Sequence, residues 1–115
     1  MSLTLNALPH TNCSEIQLVG SALTDQDFDE LNFQVNELME QDKPNVILNL
    51  KEIKILNSLG INTLIKVFTK CRNHGGDMYI VNISDKINQV LLLTKLNTVL
   101  NIAPSVTDAV KIFNS

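Results

Sequence analysis

Ser58 stands in the stretch ILNSLGINTLIKVF, residues 55–68, where one hydrophobic pattern gives way to another. Ahead of it the apolar residues alternate, at Ile53 and Ile55; behind it Ile61, Leu64, Ile65 and Phe68 recur at helical spacing. A serine at such a strand-to-helix seam has three chemical uses: nucleophile, helix cap or acceptor of a covalent modification. As a nucleophile it resembles the serine of a hydrolase elbow, but Asn57-Ser58-Leu59-Gly60 lacks the G-x-S-x-G frame. It also needs a base within hydrogen-bonding reach. Of the two histidines, His74 lies at the far end of the helix that Ser58 opens, about 24 Å away at roughly 1.5 Å per residue. His10 falls in the turn between the first two strands, and nothing in the sequence brings it closer. The residues therefore disfavour a hydrolase.

Other reactive side chains offer less. Cys71 and His74 are three apart at a helix end, with no second pair at ligand spacing, so no metal site is expected. Cys71 follows Phe68 by three on the apolar stripe and reads as a buried structural thiol. Gly75-Gly76 precedes a strand rather than opening a helix, which fits a helix stop and not a phosphate loop. What remains for Ser58 is a helix cap or first-turn residue, or a phosphoacceptor. Local spacing does not separate these, because both occupy helix N-termini.

The elements that must position this serine are legible from the pattern. Residues 2–8 and 14–19 read as strands around the turn-like Pro9-His10-Thr11-Asn12. A helix follows over residues 23–41, with Phe28, Leu31, Val35 and Leu38 on its apolar side and Asp25, Asp27, Asp29 and Glu30 crowding its first turns. Thr24 and Asp27 sit at capping-box spacing. Lys43-Pro44-Asn45 breaks the chain, and VILNLKEI (46–53) is apolar enough for a strand buried on both faces. The helix over 59–72 comes next, then a strand at 77–83. A helix capped by Ser84 runs to about Leu96, followed by a weaker strand at 98–103. Pro104 precedes a last helix, with Ser105 and Asp108 at capping spacing and Val106, Ala109, Val110 and Phe113 inward. Strict alternation from residue 46 onward implies right-handed βαβ units and parallel strands, with the N-terminal pair as an antiparallel hairpin on the edge. The expected fold class is α/β: one domain over 1–115, a small mixed sheet with helices packed against it.

Composition bounds the function. The chain has 115 residues, 44% hydrophobic and 18% charged, which suits one globular domain. A net charge of −3 and nine scattered Lys and Arg argue against a broad grip on nucleic acid or an anionic membrane. The densest basic cluster, Lys66, Lys70 and Arg72, falls at a helix C-terminus, where cations complement the dipole. No stretch has the apolar length of a membrane span, and MSLTLNALPHTN lacks the features of a secretory signal. Two cysteines make no disulfide framework, so a reduced, cytoplasmic setting is expected.

The ordered combination of these elements resembles STAS domains, specifically the anti-sigma factor antagonist type. VILNLKEIKILNSLGINTLIKVFTKCRNHGG is similar to the central block of that family: a buried strand, a D-S-[ST]-G turn, a helix and a Gly-Gly stop. MYIVNISDKINQVLLLTKLNTVLNIAPSVTDAV resembles its C-terminal half, including a helix that ends in Leu-Thr-x-Leu. The first fifty residues match in pattern only, with Gly20-Ser21-Ala22-Leu23 at the turn after the second strand. The resemblance implies that Ser58 is the phosphorylatable serine and Gly60 the glycine of the turn. Asn57 stands where Asp is common, Leu59 where Ser or Thr is usual, and Asn49 replaces a common Asp in the preceding strand. It further implies a bacterial protein without catalysis or cofactor. Such a protein binds an anti-sigma factor that is also a GHKL-type serine kinase, is switched off by phosphorylation of Ser58, and is restored by a serine phosphatase. The implied docking surface is Asn57, Ser58, Leu59, Gly60 and Asn62, with Ser21 and Thr24 from the loop before the first helix. The alternative is a STAS interaction module that works without phosphorylation, as a subunit of a signalling or transport assembly.

Overall fold

Alternation and helical periodicity resolve, in the computed structural model, into one five-stranded sheet and four α-helices; the structure describes residues 3–20, 25–53 and 56–115. Strands β1 (Leu3–His10) and β2 (Cys13–Gly20) form an antiparallel hairpin. Helix α1 (Asp25–Glu40) leads to β3 (Val46–Glu52), α2 (Ser58–Asn73) to β4 (Met78–Val81), and α3 (Asp85–Leu93) with a 3-10 turn (Leu96–Thr98) to β5 (Asn101–Ala103). Helix α4 (Val106–Phe113) closes the chain. Strand order is β1-β2-β3-β4-β5, and every pair after the first is parallel, as the short alternating elements require.

The pleat divides the core in two. Ile16, Leu18, Val46, Leu48, Leu50, Met78 and Ile80 point to one face, where they meet Phe28, Leu31 and Val35 of α1, Leu64, Val67 and Cys71 of α2, and Ile87 and Leu91 of α3. Cys13, Ile47, Val81 and Ala103 point to the other face, where α4 supplies Ala109, Val106, Val110 and Phe113, with Phe113 edge-on to Tyr79 at 5.3 Å.

Several boundaries differ from the sequence reading, each for a physical reason. Strand β1 runs straight through Pro9 to His10, and the turn is Thr11-Asn12, with Asn12 in the left-handed region at φ 68°. Proline is tolerated there because β1 is an edge strand. Strand β4 stops at Val81 because Asn82 turns left-handed at φ 58°. Lys95, at φ 62°, ends the α3 segment before Leu96, and the following residues form the 3-10 turn instead of extending β5. Ser84 and Ser105 cap α3 and α4 as expected, each accepting from the N–H three residues on. The capping box expected at Thr24 and Asp27 lies outside the described residues and side chains, as do Ser21 and Thr24 of the expected docking surface.

Candidate functional site

The seam around Ser58 is built by a cap, a glycine and an exposed hydroxyl. Asn57, in extended conformation (φ −88°, ψ −178°), is the N-cap of α2, and its side-chain oxygen accepts from the Gly60 N–H at 2.9 Å. Ser58 is therefore the first helical residue and not the cap. It is exposed, and its hydroxyl makes no hydrogen bond to a described residue. The first turn of α2 carries no carboxylate, so no side chain of that turn offsets the positive end of the helix dipole at Ser58.

Gly60 is buried, and a Cβ there would sit 2.5 Å from Leu56 Cδ1 and 3.3 Å from Phe28 Cζ. Absence of a side chain is what lets the first turn of α2 lie against Leu56 and α1. Leu59 is half-buried against the main core, so it is a packing residue and not a fully exposed contact. Thr63 turns its hydroxyl back to the Leu59 carbonyl at 2.9 Å. Of the residues expected to form a docking surface, Ser58 and Asn62 are exposed, Asn57 and Leu59 are partly covered, and Gly60 is enclosed.

The structure moves both histidines away from this turn. His74 caps the other end of α2. His10 lies at the end of β1, with Nε2 2.8 Å from Glu15 Oε1. Among the described residues no group of His, Cys, Asp and Glu is arranged to hold a metal ion. Burial raises the Cys71 thiol to about 12, with Asp77 adding to the effect, which makes it a poor nucleophile and a poor ligand.

A second polar cluster, not foreseen from the sequence, lies on the α4 face of the sheet. Glu15 is only 3% exposed, yet its carboxylate is fully engaged. Oε1 meets His10, and Oε2 accepts from Gln17 Nε2 and Asn49 Nδ2, both at 3.1 Å. Burial pushes this carboxyl up, but the hydrogen bonds from His10, Asn49 and Gln17, with the charge of His10, outweigh it and hold the group below its ordinary range. Asn49, itself 8% exposed, accepts at Oδ1 from the Lys51 N–H at 3.1 Å and from Asn82 Nδ2 at 3.2 Å. The cluster explains why residue 49 is Asn: an Asp would set a second carboxylate against Glu15 and remove its donor. The only sequence signal was a glutamate inside a strand otherwise rich in apolar residues.

Comparison with known proteins agrees with this fold. The STAS domain family model matches residues 9–109. The chain belongs to the STAS domain family. Three solved structures show how far the STAS fold is shared. An anti-sigma factor antagonist from Mycobacterium paratuberculosis superposes with a TM-score of 0.82 at 19% identity, covering 99% of this chain and 96% of its own. An anti-sigma-factor antagonist (STAS) domain protein from Planctomyces limnophilus gives 0.80 at 14% identity, covering 96% and 98%. The Bacillus cell fate determinant SpoIIAA, in its phosphorylated form, gives 0.69 at 14% identity, covering 96% and 97%. No helix among the described residues is long and apolar enough to cross a membrane.

Proposed function

We propose that this STAS domain is an anti-sigma factor antagonist. It binds an anti-sigma factor that is also a GHKL-type serine kinase and is released when Ser58 is phosphorylated. The observation that carries the reading is the division of labour at the turn. Asn57 caps α2, so the exposed Ser58 hydroxyl is left available for modification. A structural neighbour, SpoIIAA, is known in a phosphorylated form, which supports the same chemistry here.

The physics of the switch follows from position. A phosphate adds about −1.5 to −2 charge. At the first residue of a helix with no carboxylate in its first turn, that charge stabilises the fold by about 0.3–1 kcal/mol. In a docked interface the same dianion loses its water, at an effective cost of several kcal/mol unless it is paired. Since about 1.4 kcal/mol is tenfold in affinity, modification releases the partner while the domain stays folded. Ser58 and Asn62 present side chains to that partner, whereas Leu59 and Gly60 set the shape of the turn. Ser21 and Thr24 complete the proposed surface. A serine phosphatase restores the binding form, and the domain itself performs no catalysis in a cytoplasmic, bacterial setting.

The second reading, an interaction module that works without phosphorylation, draws on Leu59. A residue that is a hydroxyl in the family pattern is here packed against the core. One experiment separates the two. The protein is incubated with ATP and a GHKL-type kinase encoded beside it, and intact mass is measured for wild type and Ser58→Ala. One phosphate on wild type and none on Ser58→Ala is expected; an unmodified wild type, with the kinase active on another substrate, sinks the switch. Calorimetric binding to the kinase that survives Ser58→Asp would count against charge as the release signal.

A further inference from the structure

Strand β1 is an edge, and among the described residues no strand pairs with its outer side. Which of its backbone groups face outward follows from the hairpin. The two-residue turn Thr11-Asn12 makes His10–Cys13 the hydrogen-bonded pair that closes it. Antiparallel pairs alternate, so Leu8, Asn6 and Thr4 also turn their N–H and C=O groups toward β2. Leu3, Leu5, Ala7 and Pro9 then present theirs outward. Pro9 fits this parity, since a proline in a strand must aim its missing N–H away from the neighbour.

Natural edges are usually guarded by charge, especially lysine. This one is not: LTLNALPH contains no Asp, Glu, Lys or Arg, and Ala7, Leu8 and Pro9 are exposed. Beside it runs a groove of about 260 Å³ between β1 and α1, lined by Ala7, Pro9, Ile16 and Leu38 together with Glu37 and Lys43. Within the strand itself Pro9 is the guard, and it blocks one end.

We infer that β1 pairs antiparallel with β1 of a second copy, joining two five-stranded sheets across a two-fold axis at Leu5. The occupant is argued from register and charge. With Leu5 opposite Leu5 of the second copy, Leu3 faces Ala7 and Ala7 faces Leu3, so each outward residue with an N–H exchanges both hydrogen bonds. Pro9 falls just beyond the paired stretch. Moving the axis to Ala7 would place Pro9 opposite Leu5 and lose a donor on each side. β1 itself carries no charge, so two copies of it meet without repulsion along the strand, and the Glu37 and Lys43 beside the groove are of opposite sign. The interface is isologous, as a two-fold requires. Strand β3, which leads to Ser58, lies two strands inward, so this pairing is independent of the proposed phosphorylation switch.

A single strand pair buries less than the standard interface, so the dimer is weak and concentration-dependent. Sedimentation equilibrium between about 10 μM and 1 mM brackets such an affinity. Wild type should shift from monomer to dimer across this range. Thr4 and Asn6 are exposed and face each other across the axis in the proposed register, so Thr4→Lys with Asn6→Lys should weaken the dimer at least about tenfold without changing far-UV circular dichroism. Thr4→Cys with Asn6→Cys should oxidise to a covalent dimer, because the buried Cys13 and Cys71 do not compete. Asn6→Cys with Leu8→Cys, which matches the register centred on Ala7, should not. A monomer throughout the range, an unaffected dimer in the lysine variant, or cross-linking of Asn6→Cys with Leu8→Cys as readily as of Thr4→Cys with Asn6→Cys would overturn the inference. Ser58→Ala should dimerise as wild type does, which keeps failure here distinct from failure of the switch.

Discussion

The Ser58 turn and the Glu15 cluster are both polar interruptions of an aliphatic frame, and their hydrogen bonds are distributed in opposite ways. At Glu15 every side-chain oxygen is engaged, the partners come from four places in the chain (His10, Gln17, Asn49 and, through it, Asn82), and water is nearly excluded. At the turn the structural work falls to Asn57 and Gly60, while Ser58 stays exposed. Polar groups that are buried and satisfied hold strands in register; a hydroxyl left over after the local backbone is satisfied is one that another molecule can use. Residue type alone would have ranked the glutamate and histidine above the serine as chemistry. Their surroundings reverse that ranking.

The sharpest way to break the contrast is at the buried cluster. Asn49→Asp should destabilise the domain at pH 7 by roughly 2–4 kcal/mol, because it removes a donor to a buried carboxylate and adds a like charge beside it. Chemical denaturation would measure this. The loss should shrink as pH falls and one of the two carboxyls takes a proton.

Gly60→Ala is next. Its methyl would meet Leu56 and Phe28, and overpacking costs about 1–3 kcal/mol, partly offset by the better helix propensity of alanine. If thermal unfolding of Gly60→Ala matched wild type, the view that the turn is set by close approach would fail.

Glu15→Gln tests the same cluster through pH. The folded carboxyl titrates below its ordinary value of 4.5, so its contribution is complete above that value and is lost as pH falls through the lower folded value. Wild type should therefore exceed Glu15→Gln by about 1–2 kcal/mol at neutral pH, with the gap closing as pH falls below the ordinary value of 4.5. A constant gap from pH 7 to 3 would mean that the charge of Glu15 contributes nothing.

The smallest effects discriminate neighbours at the turn. Asn57→Ala should cost about 1 kcal/mol as a lost cap, and Ser58→Ala less than about 0.5 kcal/mol as a surface change. Equal losses in thermal unfolding would show that Ser58 shares the capping role.

Much of this was legible because it is local. Helical spacing placed Phe28, Leu31, Leu64 and Ile87 on inner faces, and Ser84 and Ser105 sat where a cap must be. Strand alternation between residues 46 and 103 gave parallel order, because short crossovers leave little choice. What was hidden is set by contacts between distant residues. The burial of Glu15 depends on Asn49, thirty-four positions away, and no local pattern announces it. Of the cap and first-turn positions left open for Ser58, the structure takes the first-turn one and puts Asn57 at the cap, a distinction of one residue that periodicity does not resolve. Strand β1 outran its expected end because a proline breaks a strand only where a neighbour needs its N–H, and edge position is a property of the whole sheet.

The two thiols give the folded chain a built-in clock. Cys71 lies on the buried face of α2 and is pushed up to about 12, while burial and the nearby Glu15 raise Cys13 at the start of β2. Neither forms thiolate readily in the native state, so alkylation waits on opening. The rate at which an iodoacetamide adduct appears at each position, read by peptide mass, therefore times two separate doors: helix α2 lifting from the sheet, and the hairpin parting from α4.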